Sequence, residues 1–287
     1  MLMNGIDLLA VANANDFAVP AFNVSDYAMF NGIIDISEEK KSPLIVAIHP
    51  DELSHTGTDI LASLRRRAQR ASVPVVIHLD HGTTIQQVLI AIQSGFTSIM
   101  IDGSMLPFDD NVEVTRQVVE LAHAVDLSVE GELGTIGQND PGSHYVAPEE
   151  IIYTQPHEVA TFVEATGVDS LAIAIGTSHG IYPADRAPEL KLDLLEEIKA
   201  TVGIPLVLHG GSNNPDREIG QAVHLGINKI NISSDIKVAY HMKMREVLAD
   251  ERLREPNAIQ PACIEAMKVT AGEKIDLFDA AGKASLY

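Results

Sequence analysis

The sequence predicts a single (β/α)8 barrel. Eight short apolar runs recur along its 287 residues, stretches of helical spacing separate them, and glycine closes several of those stretches. The runs occupy residues 17–23, 43–48, 73–80, 98–102, 128–133, 170–176, 205–209 and 229–232. Continuous Val/Ile segments such as PVVIHLD and PLVLH suit strands buried on both faces, as in a parallel sheet. An open doubly wound sheet would show the same alternation, so the count of eight selects the closed barrel. One domain over 1–287 is expected, because no linker, low-complexity tract or composition shift divides the chain.

Taken in order, the first strand ends in Ala21-Phe22-Asn23 and the second runs into His49-Pro50. A helix over 60–70 leads to the third strand, which ends His78-Leu79-Asp80 before His81-Gly82. A helix over 85–94 closes at Gly95, where a C-cap favours glycine, and the fourth strand runs into Asp102-Gly103-Ser104. After a helix over 112–124, the fifth strand carries Glu130-Gly131-Glu132-Leu133-Gly134. The helix over 158–166 closes at Gly167, and the sixth strand leads through Gly176-Thr177-Ser178 to His179-Gly180. A helix over 192–201 precedes the seventh strand, which closes in His209-Gly210-Gly211-Ser212. Leu225-Gly226-Ile227 marks a further helix end before the eighth strand and its Asn231-Ile232-Ser233-Ser234-Asp235. From about 236 to 287 the chain reads as C-terminal helices covering the barrel, with the charged run over 250–255 as a solvated face.

Composition narrows the function. Forty acidic against 20 basic residues give a formal charge of −20, which leaves no basic field to displace phosphate counterions from a nucleic acid. An anionic substrate would need local devices: backbone N–H groups, a metal, or single Lys and Arg side chains. Cys263 is the single cysteine, which excludes a disulfide framework and a cysteine zinc cluster and suits a reducing compartment. The first residues lack a basic leader, and no run of 18 apolar residues spans a membrane, so a cytoplasmic location is expected.

Barrel active sites form at the C-terminal strand ends, and chemically able residues stand there. His81, His179 and His209 are each followed by glycine. Three imidazoles converging on one mouth make the ligand set of a catalytic zinc with its fourth position open. Their wide separation in sequence gives no local zinc motif; outside a barrel they would be ordinary loop histidines like His55, His123 or His157. Asp80 shares a strand face with His78 and could orient a histidine, trade protons with substrate, or cap the following helix. Asp102 and Glu132 could serve a second cation or orient the zinc ligands. Glu132 could equally be an inward charge satisfied by internal hydrogen bonds. Gly210-Gly211-Ser212 and Asn231-Ile232-Ser233-Ser234 follow strands seven and eight, where barrels commonly receive a phosphate on loop N–H groups and a helix N-terminus.

VPAFNV, KSPLIV, HLDHG, IDGS, VEGELG, VDSLAIAIGTSHG, IPLVLHGGS and NISSDIK span nearly the whole chain. Through them the sequence resembles the class II fructose/tagatose-bisphosphate aldolases, and looks most like the short tagatose-bisphosphate branch. The resemblance implies zinc on His81, His179 and His209, with Asp80 as the acid/base near the cleaved bond. It implies dihydroxyacetone phosphate held by Gly180, Gly210, Gly211, Ser212, Asn231, Ile232, Ser233 and Ser234, with Asn23 beside the substrate. Cleavage of a ketose bisphosphate would pass through a zinc-stabilised enediolate, with a monovalent cation as a further requirement and a homodimer or homotetramer as the common assembly. In the loop after strand five, Gln138 stands where relatives have glycine, and Asp140 occupies the position of a proton-moving Glu with a shorter arm. His49 stands where relatives commonly have Ser or Thr. The alternatives that stay open are an aldolase for a different ketose phosphate, a non-catalytic member or one dependent on an accessory subunit, and a metal-dependent isomerase or epimerase on the same scaffold.

Overall fold

The computed structural model describes residues 1–138, 151–180 and 189–287. In chain order its elements are α1 (Gly5–Ala14), β1 (Val19–Asn23), α2 (Tyr27–Lys40), β2 (Leu44–Ile48), α3 (Pro50–Thr56), α4 (Ile60–Arg70) and β3 (Val75–Gly82). Then come α5 (Ile85–Ser94), β4 (Ser98–Ile101), α6 (Phe108–His123), β5 (Ser128–Leu133), β6 (Gly137–Gln138), α7 (Pro156–Thr166), β7 (Ser170–Ile173) and β8 (Ser178–His179). The last are α8 (Leu192–Lys199), β9 (Leu206–Leu208), α9 (Asp216–His224), β10 (Ile227–Ile232), α10 (Ser234–Val247), α11 (Pro256–Leu277) and a short 3-10 turn, Lys283–Leu286.

Eight strands close into one parallel barrel in the order β1-β2-β3-β4-β5-β7-β9-β10, with β10 returning to β1. Each expected apolar run supplies one barrel strand. The sixth run yields a shorter strand than expected, ending at Ile173, and the eighth begins earlier, at Ile227. The expected helices over 60–70 and 85–94 match α4 and α5 at both ends. Thr84 and Gln87 form a reciprocal capping box at the start of α5, satisfying N–H groups that the first turn leaves open. Gly95 and Gly167 close α5 and α7 in the left-handed region, φ +90° and +71°, as the sequence suggests.

The apolar core is an annulus between strands and helices. Ile99, Val129, Leu171 and Ile230 are fully buried from the sheet, and Val88, Val118, Phe162, Leu195 and Val223 from α5, α6, α7, α8 and α9. Inside the barrel Met100, Ala172 and Val207 form a separate small apolar cluster. Above it the interior is polar. α1 reaches the opposite end, where the Gly5 N–H donates to Ser128 Oγ.

α10 follows β10 directly and stands where the barrel's eighth helix belongs, so α11 and the 3-10 turn are what extends beyond the (β/α)8 unit. α11 packs on α10 and α2. The α2 contact is close at Gly32: a Cβ there would lie 2.6 Å from Ile264 Cγ2 and 2.9 Å from Met267 Cε. Among the described residues no helix is long and apolar enough to cross a membrane.

Gly32→Leu should drive α11 off α2. Overpacking of this kind costs about 1–3 kcal/mol, read as a lower urea midpoint, and an unchanged midpoint would show that α11 is not clamped there.

Candidate active site

The site is organised by an irregularity in β3. Side chains of a regular strand alternate, so His78 and Asp80 face the interior and residue 81 would face out. Pairing between β3 and β4 shifts register between Leu79 and Gly82, and His81 adopts φ +49°. That bulge sends two consecutive side chains, Asp80 and His81, into the same mouth. A left-handed histidine is uncommon, and such conformations gather at functional sites.

Asp80 is held from both sides. Its Oδ2 accepts from Asn23 Nδ2 at 2.7 Å and its Oδ1 from Asn231 Nδ2 at 2.9 Å, while His209 Nδ1 lies 3.9 Å away. Burial alone would raise its pKa. The charges at His81, His209 and Lys229 outweigh that and hold the carboxyl well below the usual range.

His81, His179 and His209 converge. Ring centroids are 4.5 Å apart for His81 and His209, 5.0 Å for His81 and His179, and 6.3 Å for His179 and His209. One ring nitrogen from each lies within 4.8 Å of those of the other two. His209 Nε2 is bonded to Glu130 Oε1 at 2.8 Å, and its buried Nδ1 has no hydrogen-bond partner among the described residues. His81 Nδ1 meets Asp102 Oδ2 at 3.1 Å, and Asp102 Oδ1 accepts from the Ser104 N–H and hydroxyl. Burial disfavours a charged His81, yet Asp80, Asp102 and Glu132 prevail and raise its pKa to about 9. For His179, burial reinforced by His81 and His209 pushes the other way, well below the histidine range.

This donor set fits a metal. Three convergent imidazoles, two of them held from behind by carboxylates, match a catalytic zinc site and its supporting hydrogen bonds. Charge agrees: burial first, and then Asp102, push Glu132 well above the usual carboxylate range. Both Glu132 oxygens are buried without hydrogen-bond partners among the described residues, and Oε2 lies 3.8 Å from His81 Nδ1. The cluster is short of positive charge. A second triplet, His81, Asp102 and Glu132, also brings its ligand atoms within 4.8 Å.

Beside the histidines, the loops after β9 and β10 are locked together. The Gly211 N–H donates to the Asn231 carbonyl, and Ser212 Oγ accepts from the Ser233 and Asp235 N–H groups at 3.2 and 3.3 Å. Gly210 lies at φ +64° with its missing Cβ position 2.8 Å from the Ser178 carbonyl oxygen. That leaves backbone N–H groups and the N-terminus of α10 next to the imidazole cluster, a suitable place for an anion.

The sequence profile described as fructose-bisphosphate aldolase class-II matches residues 3–283. The chain belongs to that family. The aldolase, a lyase of a metal-dependent family, is similar over 99% of its length to the YdjI aldolase of Escherichia coli K12, at 34% identity, all of that chain and a TM-score of 0.87. A putative fructose-1,6-biphosphate aldolase from Coccidioides immitis aligns over 99% of both chains at 27% identity and TM-score 0.90. The fold is also that of fructose-bisphosphate aldolase from Campylobacter jejuni, TM-score 0.81 at 21% identity over 98% of this chain and 96% of that one.

In the aldolase, Asp80 and the three histidines meet in one cluster, and Asp102 stands directly behind His81. The other expected residues take the following places. Asn23 and Asn231, expected to touch substrate, each donate one side-chain N–H to Asp80. The Ile232 side chain is fully buried, so only its backbone can face a ligand. The Ser212 hydroxyl accepts the N–H groups of Ser233 and Asp235, which leaves its proton as its donor. Glu132, expected either at a second cation site with Asp102, as an orienting group, or as an inward charge with internal hydrogen bonds, has no hydrogen-bond partner among the described residues and groups with His81 and Asp102. Gly180 follows His179 at φ +92°. The Gln138 backbone pairs in register with His179, and Asp140 lies outside the described residues. His49 caps α3, its Nδ1 accepting from the Asp51 N–H, with its ring 6.4 Å from that of His81. Burial comes first in lowering its pKa, opposed by Asp80. The sequence reading assigned no role to Glu130, Lys229 and His78. The available signal was a charged residue inside an apolar strand, at period two from Glu132, Asn231 and Asp80.

Gly210→Ala should cost about 1–2 kcal/mol for the left-handed backbone alone, and more for the contact with Ser178. At Gly203 nothing lies within 4 Å of the Cβ position, so Gly203→Ala should leave the melting temperature nearly unchanged. Equal effects at the two positions would show that the loop after β9 is not constrained as described.

Proposed function

We propose that this aldolase reversibly cleaves a ketose phosphate, such as tagatose or fructose 1,6-bisphosphate, into dihydroxyacetone phosphate and an aldehyde. His81, His179 and His209 hold zinc. The observation that carries this reading is the β3 bulge, which puts a carboxylate and a metal-ligating imidazole from adjacent residues into one mouth. Zinc held there supplies a Lewis acid for a ketone oxygen, so no Schiff-base lysine is required.

Asp80 then acts as the proton carrier, taking the hydroxyl proton of the bond-cleaving carbon in cleavage and returning it in condensation. Its low pKa in the resting site keeps it ionised and able to accept. Asn23 and Asn231 fix both carboxylate oxygens, so the proton is received at a defined place. Gly210 and Ser234 offer the phosphate backbone N–H groups, the Ser212 hydroxyl adds a donor, Gly211 and Ser233 hold the two loops together through their own N–H groups, and the α10 N-terminus offsets the negative charge of the chain. Asp140 is the candidate for the proton at the triose carbon. The enzyme is taken as cytoplasmic, and its assembly as a homodimer or homotetramer. The similarity to a putative fructose-1,6-biphosphate aldolase from Coccidioides immitis supports the substrate class.

The test is a coupled assay for dihydroxyacetone phosphate, with fructose and tagatose bisphosphates and several ketose monophosphates. Release should stop with a chelator and return with zinc. Stoichiometric zinc with no release from any of these substrates would sink the cleavage reading. His81→Ala should remove zinc and activity together. Asp80→Ala should keep zinc while turnover falls by roughly 10²–10⁴-fold, and near-normal turnover would remove Asp80 from the chemistry.

A further inference from the structure

Below the histidines lies a chain of polar groups that the proposed reaction does not touch. Lys229 on β10 is 0% exposed and Glu130 on β5 is 1% exposed. Lys229 Nζ donates to Glu130 Oε1 at 2.9 Å and Oε2 at 2.7 Å, and lies 3.4 Å from His78 Nε2. His78 Nδ1 is 2.7 Å from Ser98 Oγ. At the upper end, Glu130 Oε1 also meets His209 Nε2 at 2.8 Å.

The direction of these bonds follows from what each group can do. An ammonium only donates and an ionised carboxylate only accepts. Glu130 therefore requires His209 to donate through Nε2–H. A neutral imidazole carries one ring proton, so Nδ1 keeps its lone pair. Nδ1 is the nitrogen left without a hydrogen-bond partner among the described residues, and it lies 3.9 Å from Asp80 Oδ1, on the side of the metal cluster. Lys229 makes this acceptor possible, because an uncompensated carboxylate in a dry barrel centre would be strongly disfavoured. A buried ion pair is not needed for stability alone, since well-packed apolar residues of similar volume often serve as well or better.

We propose that Lys229 and Glu130 are positioning residues for the metal, fixing His209 in the Nε2–H tautomer so that Nδ1 is presented as the ligand atom. The inference rests on His209 being a zinc ligand, as proposed above, but its central statement concerns the metal-free protein and can be tested there. A glutamine at 130 could instead turn an amide N–H towards His209 Nε2 and move the ring proton to Nδ1. The ligand atom would then be blocked.

The first experiment is nitrogen-15 NMR of the histidine rings in the metal-free native protein, with the His209 signals assigned through His209→Gln. The expected result is a protonated Nε2 and an unprotonated Nδ1; a proton resident on Nδ1 overturns the proposal. The second is zinc affinity, measured by competition with a chromophoric chelator, together with the melting temperature of each metal-free variant. Glu130→Gln and the apolar pair Glu130→Leu/Lys229→Met should bind zinc about 10–100-fold more weakly, even where the double variant keeps the native melting temperature. Zinc affinity within about threefold of native in that folded double variant would reduce the pair to a structural role and overturn the proposal. A native protein with the expected tautomer but no zinc affinity would instead overturn the metal assignment of the proposed function, leaving the tautomer assignment standing.

Discussion

A closed parallel barrel excludes water from its centre, so a charge placed there must find its counter-charge inside the wall. This constraint shapes the whole upper half of the molecule. Four carboxylates, Asp80, Asp102, Glu130 and Glu132, point inward from three neighbouring strands or their ends. Lys229 neutralises Glu130 directly, and two asparagine amides hold Asp80 without adding charge. Burial disfavours the charged form of both His81 and His179, but Asp80, Asp102 and Glu132 all act on His81 and raise its pKa, while that of His179 is lowered. A cation among the imidazoles would take over the part His81 otherwise plays. Metal and proton are thus alternative solutions to one electrostatic demand, and metal affinity in such a cluster is inherently coupled to pH.

The same demand accounts for the cost accepted at β3. A regular strand cannot point two neighbouring residues to one side, yet the chemistry needs a proton carrier next to a metal ligand. The bulge supplies both and leaves one histidine in a left-handed conformation. Such a conformation persists only when its surroundings over-determine it. Here they do so through the Asp102 bond, the pairing of Gly82 with Ile101, and the contact of the His81 N–H with Met100 Sδ at 3.4 Å. Rigidity at this point matters because the two side chains act on atoms of one substrate.

The barrel was legible in the sequence because its strands are buried on both faces. Val75, Val76 and Ile77, or Leu206, Val207 and Leu208, are apolar without alternation, and few other folds need that. The histidines were legible only through the barrel, since position at strand ends related them. What escaped was anything set by local backbone departure or by the interior surface. The register shift at Asp80-His81 leaves no mark in residue types beyond Gly82. Lys229 and Glu130 sit in strands whose neighbours announce burial, and burial usually excludes charge. The asparagines were visible as polar strand ends, but the sequence could not show that Asn23 and Asn231 each donate to Asp80.

Division of labour between wall and loops follows from these placements. The three convergent histidines, Asp80 and its amide donors belong to the barrel wall or lie directly against it, where neighbouring strands limit their movement. The parts that would contact the variable half of a sugar lie farther out. His49 is tied to α3 by its own cap, and Glu52 on that helix accepts from Lys237 of α10 at 2.6 Å and from Ser25 at 3.2 Å. This bridge joins the rim after β2 to the helix whose N-terminus faces the phosphate site. A change of substrate through His49 would therefore act on a rim residue whose ring stands 6.4 Å from that of His81, a proposed zinc ligand. Under the proposed function, the chemistry can stay fixed in the wall while the rim varies, which would let one barrel scaffold serve different ketose phosphates.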